Sequence, residues 1–394
     1  MSDILHFFRD CSGKLTAVSL PFELDEIIAQ WSGLINHMAR NHNGAFSRDE
    51  WAYMIYFLDR HLLEEVYIKT FGLPADGNSG VIHMLMRPRG QVAVWLPNNV
   101  SLLGPLVLIL LSLSGNPVII KSGSHSQNLT QVFLDYSSTQ LTHGALRNYL
   151  SSKVKVETFS RDDPRQKDMA AEAKVRLFFG SDMSAKVIDS LPHPIGSLSF
   201  AFVDRKSEIW MEKGAVTADT LAMLIKVMAI YGRFGCTSPQ KVVVIDGSPQ
   251  DAVDLSKRLA EMWPSVIRRD VEPHTASENV KALQSAAALG WQPAIAERNG
   301  AVFASGGFDL PPFAGAMALP VISATIQEAV AHLPSNIQTL GYALSSPNDR
   351  RWLLELANSG IKRFVPLAQM HHFGPYWDGY SYWSSLFETV EIRI

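Results

Sequence analysis

The sequence predicts an α/β fold built on mainly parallel sheets. From about residue 90 to the end, short β-branched or aromatic runs alternate with amphipathic helical stretches, and no long all-β or all-α block interrupts them. Residues 91–121 have the size of one strand–turn–helix–strand unit, which implies a parallel pair joined by a right-handed crossover. The length, 394 residues, exceeds what one simple core organises and points to about two domains.

The elements follow in order. Residues 1–75 are mixed and aromatic-rich, with helices expected over 24–38 and 49–71 and Ser47 as the cap of the second. QVAVW (91–95) is a strand, 100–113 a helix apolar enough to be buried, and VIIK (118–121) the second strand. A helix over 127–137 and strands over 153–159 and 175–179 continue the alternation, and a helix follows over 183–189. Strands are expected at 198–203, 207–211, 241–246, 301–304, 319–323, 339–345, 363–367 and 388–394. Helices are expected at 249–262, 278–289, 326–333 and 350–359.

Composition narrows the function. A net charge of −3 leaves no basic footprint for nucleic acid. The stretch 100–113 falls short of the roughly 20 apolar residues a bilayer span needs. The first residues lack a basic segment followed by an apolar core, so no signal peptide is expected. Two cysteines, Cys11 and Cys236, exclude a disulfide framework and a cysteine-rich metal site and fit a reducing, cytoplasmic setting.

Residues 231–246, YGRFGCTSPQKVVVID, carry the chemistry. Leu221, Leu224, Ile225 and Met228 recur at helical spacing after the cap Thr217. Gly232 and Gly235 break that helix, Cys236 sits in the break, and a β-branched strand follows. A thiol on such a turn is held rigidly yet open to a ligand, and backbone N–H groups there can face an oxyanion. A small buried residue in a loop is the alternative reading. Lys121 leaves the carboxyl end of its strand into SGSHS, the edge where open α/β sheets bind ligands. Gly180 and Ser181 sit at a strand-to-helix turn suited to a pyrophosphate. GxGxxG and Walker A signatures are absent. His371–His372 read as surface or interface polar residues, 161–165 as solvated charge, and Trp377-Asp378-Gly379 as a tight turn under a packed indole.

Four pieces, LPNNV (96–100), GNPVIIKSGS (115–124), LFFGS (177–181) and FGCTSPQ (234–240), occur in the order and approximate spacing of the aldehyde dehydrogenase superfamily, which the chain resembles over about residues 90–394. With IKRFVPLAQM (361–370) and YWDGY (376–380), the chain looks most like the fatty-acyl-CoA reductases of bacterial luminescence systems. The resemblance implies a Rossmann-type cofactor domain over 1–205 with the N-terminal helices, a catalytic α/β domain over 206–364, and a C-terminal segment, 365–394, for oligomerisation. It puts Cys236 at the nucleophile, Asn99 at the oxyanion, Lys121 at the adenosine ribose, and Gly180 and Ser181 at the pyrophosphate. The position of a ribose-binding carboxylate in NAD-selective members is here Ser124, which favours NADPH while leaving NADH possible.

Two departures direct the chemistry. The glutamate that activates water in oxidising members falls near Phe202, and the one that binds the nicotinamide ribose falls within PPFAGAMALP (311–320), where no carboxylate stands. Both disfavour hydrolytic oxidation and favour acyl exchange with a thiol. The resemblance thus implies reduction of an acyl thioester, on coenzyme A or acyl carrier protein, to an aldehyde by a homodimer or larger assembly. An acyl-phosphate reductase, a coenzyme-A-acylating aldehyde dehydrogenase and a non-catalytic binding member of the fold remain alternatives, with Arg233 a candidate phosphate ligand.

Overall fold

The computed structural model describes residues 3–97, 100, 102–123, 127–233, 235–268, 271–311, 313, 317–346 and 349–393. Asn99 and Ser124 lie outside the described residues. The chain divides into two compact units, residues 1–203 with 373–394, and residues 204–372.

The first unit begins with a hairpin, β1 (Ile4–Arg9) and β2 (Leu15–Leu20), paired antiparallel. Composition did not announce these strands, but the turn between them carries a local signal: the Asp10 carboxylate accepts from the N–H groups of Ser12 and Lys14, and Gly13 takes a φ of 86°. Cys11 is exposed on this turn. Helix α1 (Leu24–Arg40) follows. The stretch expected as one helix over 49–71 is two, α2 (Arg48–Phe57) and α3 (Arg60–Phe71). Asp59 stops the first by capping the second, its side chain accepting from the His61 N–H. Ser47 caps α2 in a reciprocal box with Glu50, as the sequence predicted. Strands β3 (Leu73–Pro74) and β4 (Ile82–Pro88) then lead into the parallel sheet.

That sheet contains β5 (Val92–Trp95), β6 (Val118–Ser122), β7 (Val154–Thr158), β8 (Val175–Gly180) and β9 (Leu198–Val203), all parallel, in the order β7-β6-β5-β8-β9. Helix α4 (Leu103–Ser112) is buried along its length, as its composition required. The remaining helices are α5 (Leu129–Gln140), α6 (Ala145–Lys153), α7 (Arg165–Glu172) and α8 (Asp182–Asp189). Sequence periodicity missed α6 and α7, both of them short.

The second unit is a seven-stranded sheet ordered β12-β13-β14-β11-β10-β15-β16. Its elements are β10 (Lys206–Glu212), α9 (Ala218–Tyr231), β11 (Pro239–Ile245), α10 (Pro249–Val266), α11 (Pro273–Ala288), β12 (Gln292–Ile295), β13 (Val302–Ser305), β14 (Ala318–Ala324), α12 (Ile326–Ala331), β15 (Ile337–Ala343), α13 (Arg350–Ala357) and β16 (Arg363–Pro366). Only β12 runs antiparallel to its neighbour. One core lies between the sheet and α9 and α10 and includes Ile209, Leu224, Met228, Val242 and Leu259. The other face packs Trp210, Val243, Ala286, Ile322 and Trp352. On this second face, Glu208 and Lys241 form an ion pair at 2.9 Å with both side chains buried.

The last residues return to the first unit. Trp377-Asp378-Gly379-Tyr380 is a tight hairpin turn with φ of 50° at Asp378 and 82° at Gly379, closed by mutual Trp377–Tyr380 backbone bonds of 2.9 Å, and its indole is buried. Strand β17 (Phe387–Glu391) pairs antiparallel with β4 and completes a sheet ordered β17-β4-β2-β1-β3. Trp383 donates through Nε1 to the Leu110 carbonyl at 3.2 Å, and Asn116 Nδ2 donates to the Leu386 carbonyl at 3.0 Å, which seats this segment on its own chain.

Candidate active site

In the first unit the chain leaves β5 for β6 and β7 on one side and returns to β8 and β9 on the other, so the winding reverses between β5 and β8. The crevice beyond the carboxyl ends of strands at such a point is where open parallel sheets bind ligands. A cavity of about 830 Å³ lies there, lined by residues 95–97 after β5, Lys121 and Gly123 at β6, 158–162 after β7, and 178–181 at β8. It has the volume of a cofactor site.

Its charge is lopsided. Lys121 is half-buried, and its ammonium lies 5.8 Å from the centre of the Phe159 ring. Burial first, and the Arg161 charge second, pull its pKa below the usual lysine value. Arg161 donates to Ser184 Oγ at 3.0 Å. Of the nearby carboxylates, Glu157 is engaged with Lys155 and Arg165, and Asp163 with Arg165 at 2.7 Å, while Asp162 is exposed and lines the cavity itself. Among the described residues neither Lys121 nor Arg161 forms an ion pair, so the cavity offers an anionic ligand two cations against the one carboxylate of Asp162. The sequence took 161–165 for solvated charge. That holds for Arg165, which is about half exposed, and for Arg161, which is exposed and also lines the cavity.

Gly180 and Ser181 line the same cavity. Ser181 caps α8, its hydroxyl accepting from the Ser184 N–H at 3.3 Å. Asp182 in the first turn already balances part of the helix dipole, so the charge for an anion comes chiefly from Lys121 and Arg161. Gly180 has a packing reason for lacking a side chain: a Cβ there would stand 2.7 Å from the Phe178 ring. Phe202, at the position of the water-activating glutamate, is buried against Phe179 with ring centres 4.9 Å apart and against Tyr382 at 5.8 Å. A carboxylate at that position would be desolvated among rings.

In the second unit Cys236 occupies the break between α9 and β11, at the amino ends of the sheet strands. Thr217 caps α9 and Gly232, with φ of 57°, ends it. Residues 235–238 form a turn closed by the Ser238 N–H on the Gly235 carbonyl at 2.9 Å, with Cys236 and Thr237 at its corner. Cys236 is partly exposed while Thr237 and Ser238 are buried. Ser207 Oγ on β10 donates to the Cys236 carbonyl at 2.7 Å. Thr237 Oγ1 and His371 Nδ1 are 2.7 Å apart. His371 is therefore no surface residue, as the sequence had suggested; it is 4 % exposed, and burial lowers its pKa to about 4. A histidine 134 positions away leaves no local pattern that would have connected it to the turn.

Arg233 donates to the Phe313 carbonyl and, at 3.0 Å, to Gln240 Oε1, and its guanidinium lies 5.7 Å from the Phe313 ring centre. It has no carboxylate partner among the described residues, and burial lowers its pKa to about 10, which leaves it cationic at neutral pH. These engagements turn it away from the role of phosphate ligand. Among the described residues no cluster of His, Cys, Asp and Glu could hold a metal ion.

A cysteine on a helix-to-strand turn and a cation-lined crevice at a parallel sheet edge suit acyl transfer coupled to redox chemistry. The acyl-CoA reductase (LuxC) family profile matches residues 2–387. The chain belongs to that family. It is an oxidoreductase of the acyl reductase and aldehyde dehydrogenase type. Among solved structures it is similar to methylmalonate-semialdehyde dehydrogenase (DddC) from Oceanimonas doudoroffii, with 14 % identity, a TM-score of 0.65, and coverage of 95 % of this chain and 86 % of that one. Lactaldehyde dehydrogenase from Escherichia coli gives 11 % identity, a TM-score of 0.61, and coverage of 94 % and 85 %. An oxidoreductase from Marinobacter aquaeolei gives 12 %, 0.62, and coverage of 94 % and 84 %. These likenesses establish the aldehyde dehydrogenase fold. No curated protein matches the chain significantly. No described helix of this LuxC-family chain is long and apolar enough to cross a membrane.

Proposed function

We propose that this protein reduces an acyl thioester, carried on coenzyme A or acyl carrier protein, to an aldehyde with NADPH, through an acyl group held on Cys236. The observation that carries the reading is the position of Cys236, partly exposed at the corner of a turn fixed by Ser207 and Thr237, in a chain of the acyl-CoA reductase family.

As a thiolate, Cys236 attacks the thioester carbonyl carbon; the bond to the carrier sulfur breaks and the carrier leaves as a thiol after taking a proton. Asn99, with backbone N–H groups of the turn, is assigned to the oxyanion. A reduced nicotinamide, when bound, supplies the hydride that converts the thioester on Cys236 to a thiohemiacetal. Cys236 then departs as a thiolate and the aldehyde is released. Phe202 stands where the resemblance puts the water-activating glutamate and cannot itself activate water, which favours an acyl group on Cys236 that resists hydrolysis.

The cofactor is assigned to the cavity of the first unit, with the ribose at Lys121, the pyrophosphate at Gly180 and Ser181, and Ser124 beside the 2′ position. Two of the solved structures similar to this chain are lactaldehyde dehydrogenases and a third is described as an NAD-dependent aldehyde dehydrogenase. Here the Lys121–Arg161 pair favours the extra phosphate of NADPH. An assembly of at least two copies in the cytoplasm belongs to the same reading, and light scattering that gave a monomer mass would remove the assembly from it.

The test is to mix the protein with acyl-CoAs of graded length and NADPH, following NADPH absorbance and trapping aldehyde. Acyl-dependent oxidation that disappears in Cys236→Ala is expected. Turnover retained by Cys236→Ala would overturn the reading.

A further inference from the structure

The segment IKRFVPLAQM was singled out by resemblance alone, and the mechanism above gives it no part. Its geometry gives it one. From β16, Arg363 Nη1 donates to Thr339 Oγ1 at 2.9 Å and to the Met370 carbonyl at 3.2 Å, while Nη2 donates to the carbonyls of Gln369 at 3.4 Å and His372 at 3.0 Å. One guanidinium thus gathers three backbone carbonyls of the 369–372 segment that flank His371. Met370 is fully buried against β15 at Gly341, where any Cβ would stand 2.3 Å from the Met370 sulfur. The segment is therefore clamped on both sides of His371.

The ring of His371 bridges two parts of the nucleophile element. Nε2 lies 2.7 Å from the Val227 carbonyl, one turn before the end of α9, and Nδ1 lies 2.7 Å from Thr237 Oγ1, immediately after Cys236. A carbonyl only accepts, so Nε2 carries the proton and donates. The ring is neutral, because it is buried and its pKa lies near 4, so Nδ1 holds a lone pair and the Thr237 hydroxyl donates to it. The direction of both bonds is fixed. Tyr231 closes the site edge-to-face, its ring centre 4.8 Å from that of His371.

We propose that His371 is a positioning residue for Cys236: with Arg363 and Met370 behind it, it ties the Thr237 hydroxyl to the Val227 carbonyl and so fixes the turn that aims the thiol. The proposal rests on Cys236 being the nucleophile. A turn held at the Cys236 carbonyl by Ser207 and one residue later by His371 has little freedom to rotate the thiol away from a bound carbonyl. Misplacement of a reacting group by about 1 Å costs on the order of 10²-fold in rate.

The experiment uses the full chain in a Cys11→Ser background, so that every thiol reaction reports Cys236. Two rates are measured in Thr237→Val, Thr237→Ser and His371→Phe: acyl-adduct formation from acyl-CoA by intact mass, and alkylation by iodoacetamide. NADPH affinity is measured alongside by fluorescence titration. Thr237→Val, which is isosteric and lacks the donor, is expected to lower acyl-adduct formation by about 10–100-fold, with NADPH affinity within about twofold of the parent. Thr237→Ser, which keeps the hydroxyl, is expected to restore most of the rate. If Thr237→Val folds, binds NADPH and acylates at the parental rate, the proposal is overturned. If the parent itself forms no acyl adduct, the thioester reading fails instead. The iodoacetamide rates then decide the positioning: a change in Thr237→Val that Thr237→Ser restores supports it, and equal rates in all three overturn it.

Discussion

The hydroxyl of Ser207 donates to the carbonyl of Cys236 at 2.7 Å, so the strand β10 holds the Cys236 turn by the backbone of the cysteine itself. Ser207 is fully buried. Ser207→Ala removes this hydrogen bond, and a typical intramolecular hydrogen bond contributes about 0.5–1.5 kcal/mol. The variant is expected to lose that much stability in urea unfolding and to acylate more slowly than the parent. An unchanged adduct rate would show that the turn does not need this tie.

Arg161 and Lys121 present two positive charges to one cavity. Arg161→Ala is expected to raise the KM for NADPH about tenfold, the effect of losing one charge-assisted contact of roughly 1.4 kcal/mol, and to leave that for NADH nearly unchanged. Steady-state kinetics with both cofactors measures the split. An equal loss for both cofactors would place Arg161 away from the 2′ position.

Burial moves the pKa of His371 from the ordinary 6.5 to about 4. The unfolded chain therefore takes up a proton before the folded one as the pH falls. The imidazole leaves stability untouched above about pH 6.5, and stability is lost as the pH drops from there towards 4. The full loss amounts to about 3 kcal/mol at about 1.4 kcal/mol per pKa unit. Urea midpoints measured between pH 7 and 4 should show this slope, and His371→Asn should flatten it. Parallel slopes for parent and variant would assign the acid sensitivity elsewhere.

Glu208 and Lys241 are ion-paired with 2 % and 4 % of their side chains exposed. Burial raises the Glu208 carboxyl pKa against the pull of Lys241. Lys241→Met alone strands a buried carboxylate and is expected to cost about 3–5 kcal/mol. The double variant Glu208→Leu with Lys241→Met removes both charges and should be the more stable of the two. Thermal unfolding of both variants checks this, and a double variant less stable than Lys241→Met would contradict it.

Gly180 packs under Phe178, where a Cβ would sit 2.7 Å from the ring. Gly180→Ala is expected to cost about 1–3 kcal/mol by overpacking and to weaken NADPH binding, because Phe178 lines the cavity and must shift. Calorimetric unfolding with and without NADPH measures both effects. Weaker binding without any loss of stability would give Gly180 a role at the ligand alone.

The α/β alternation, the buried α4, the caps Ser47 and Thr217, the Asp378-Gly379 turn and the break that carries Cys236 were all legible in the sequence. Each rests on a signal contained within a few residues, such as a period, a capping side chain or a glycine at positive φ. The hairpin β1–β2 and the helices α6 and α7 were not legible, because their stability comes from the surfaces they cover. Only the tertiary structure joined His371 to Thr237 and Val227, turned Arg161 towards the Lys121 cavity and laid β17 along β4. Those contacts are chosen by burial and by hydrogen bonding between groups more than a hundred residues apart, or by which way a long side chain faces. Neither leaves a period along the chain.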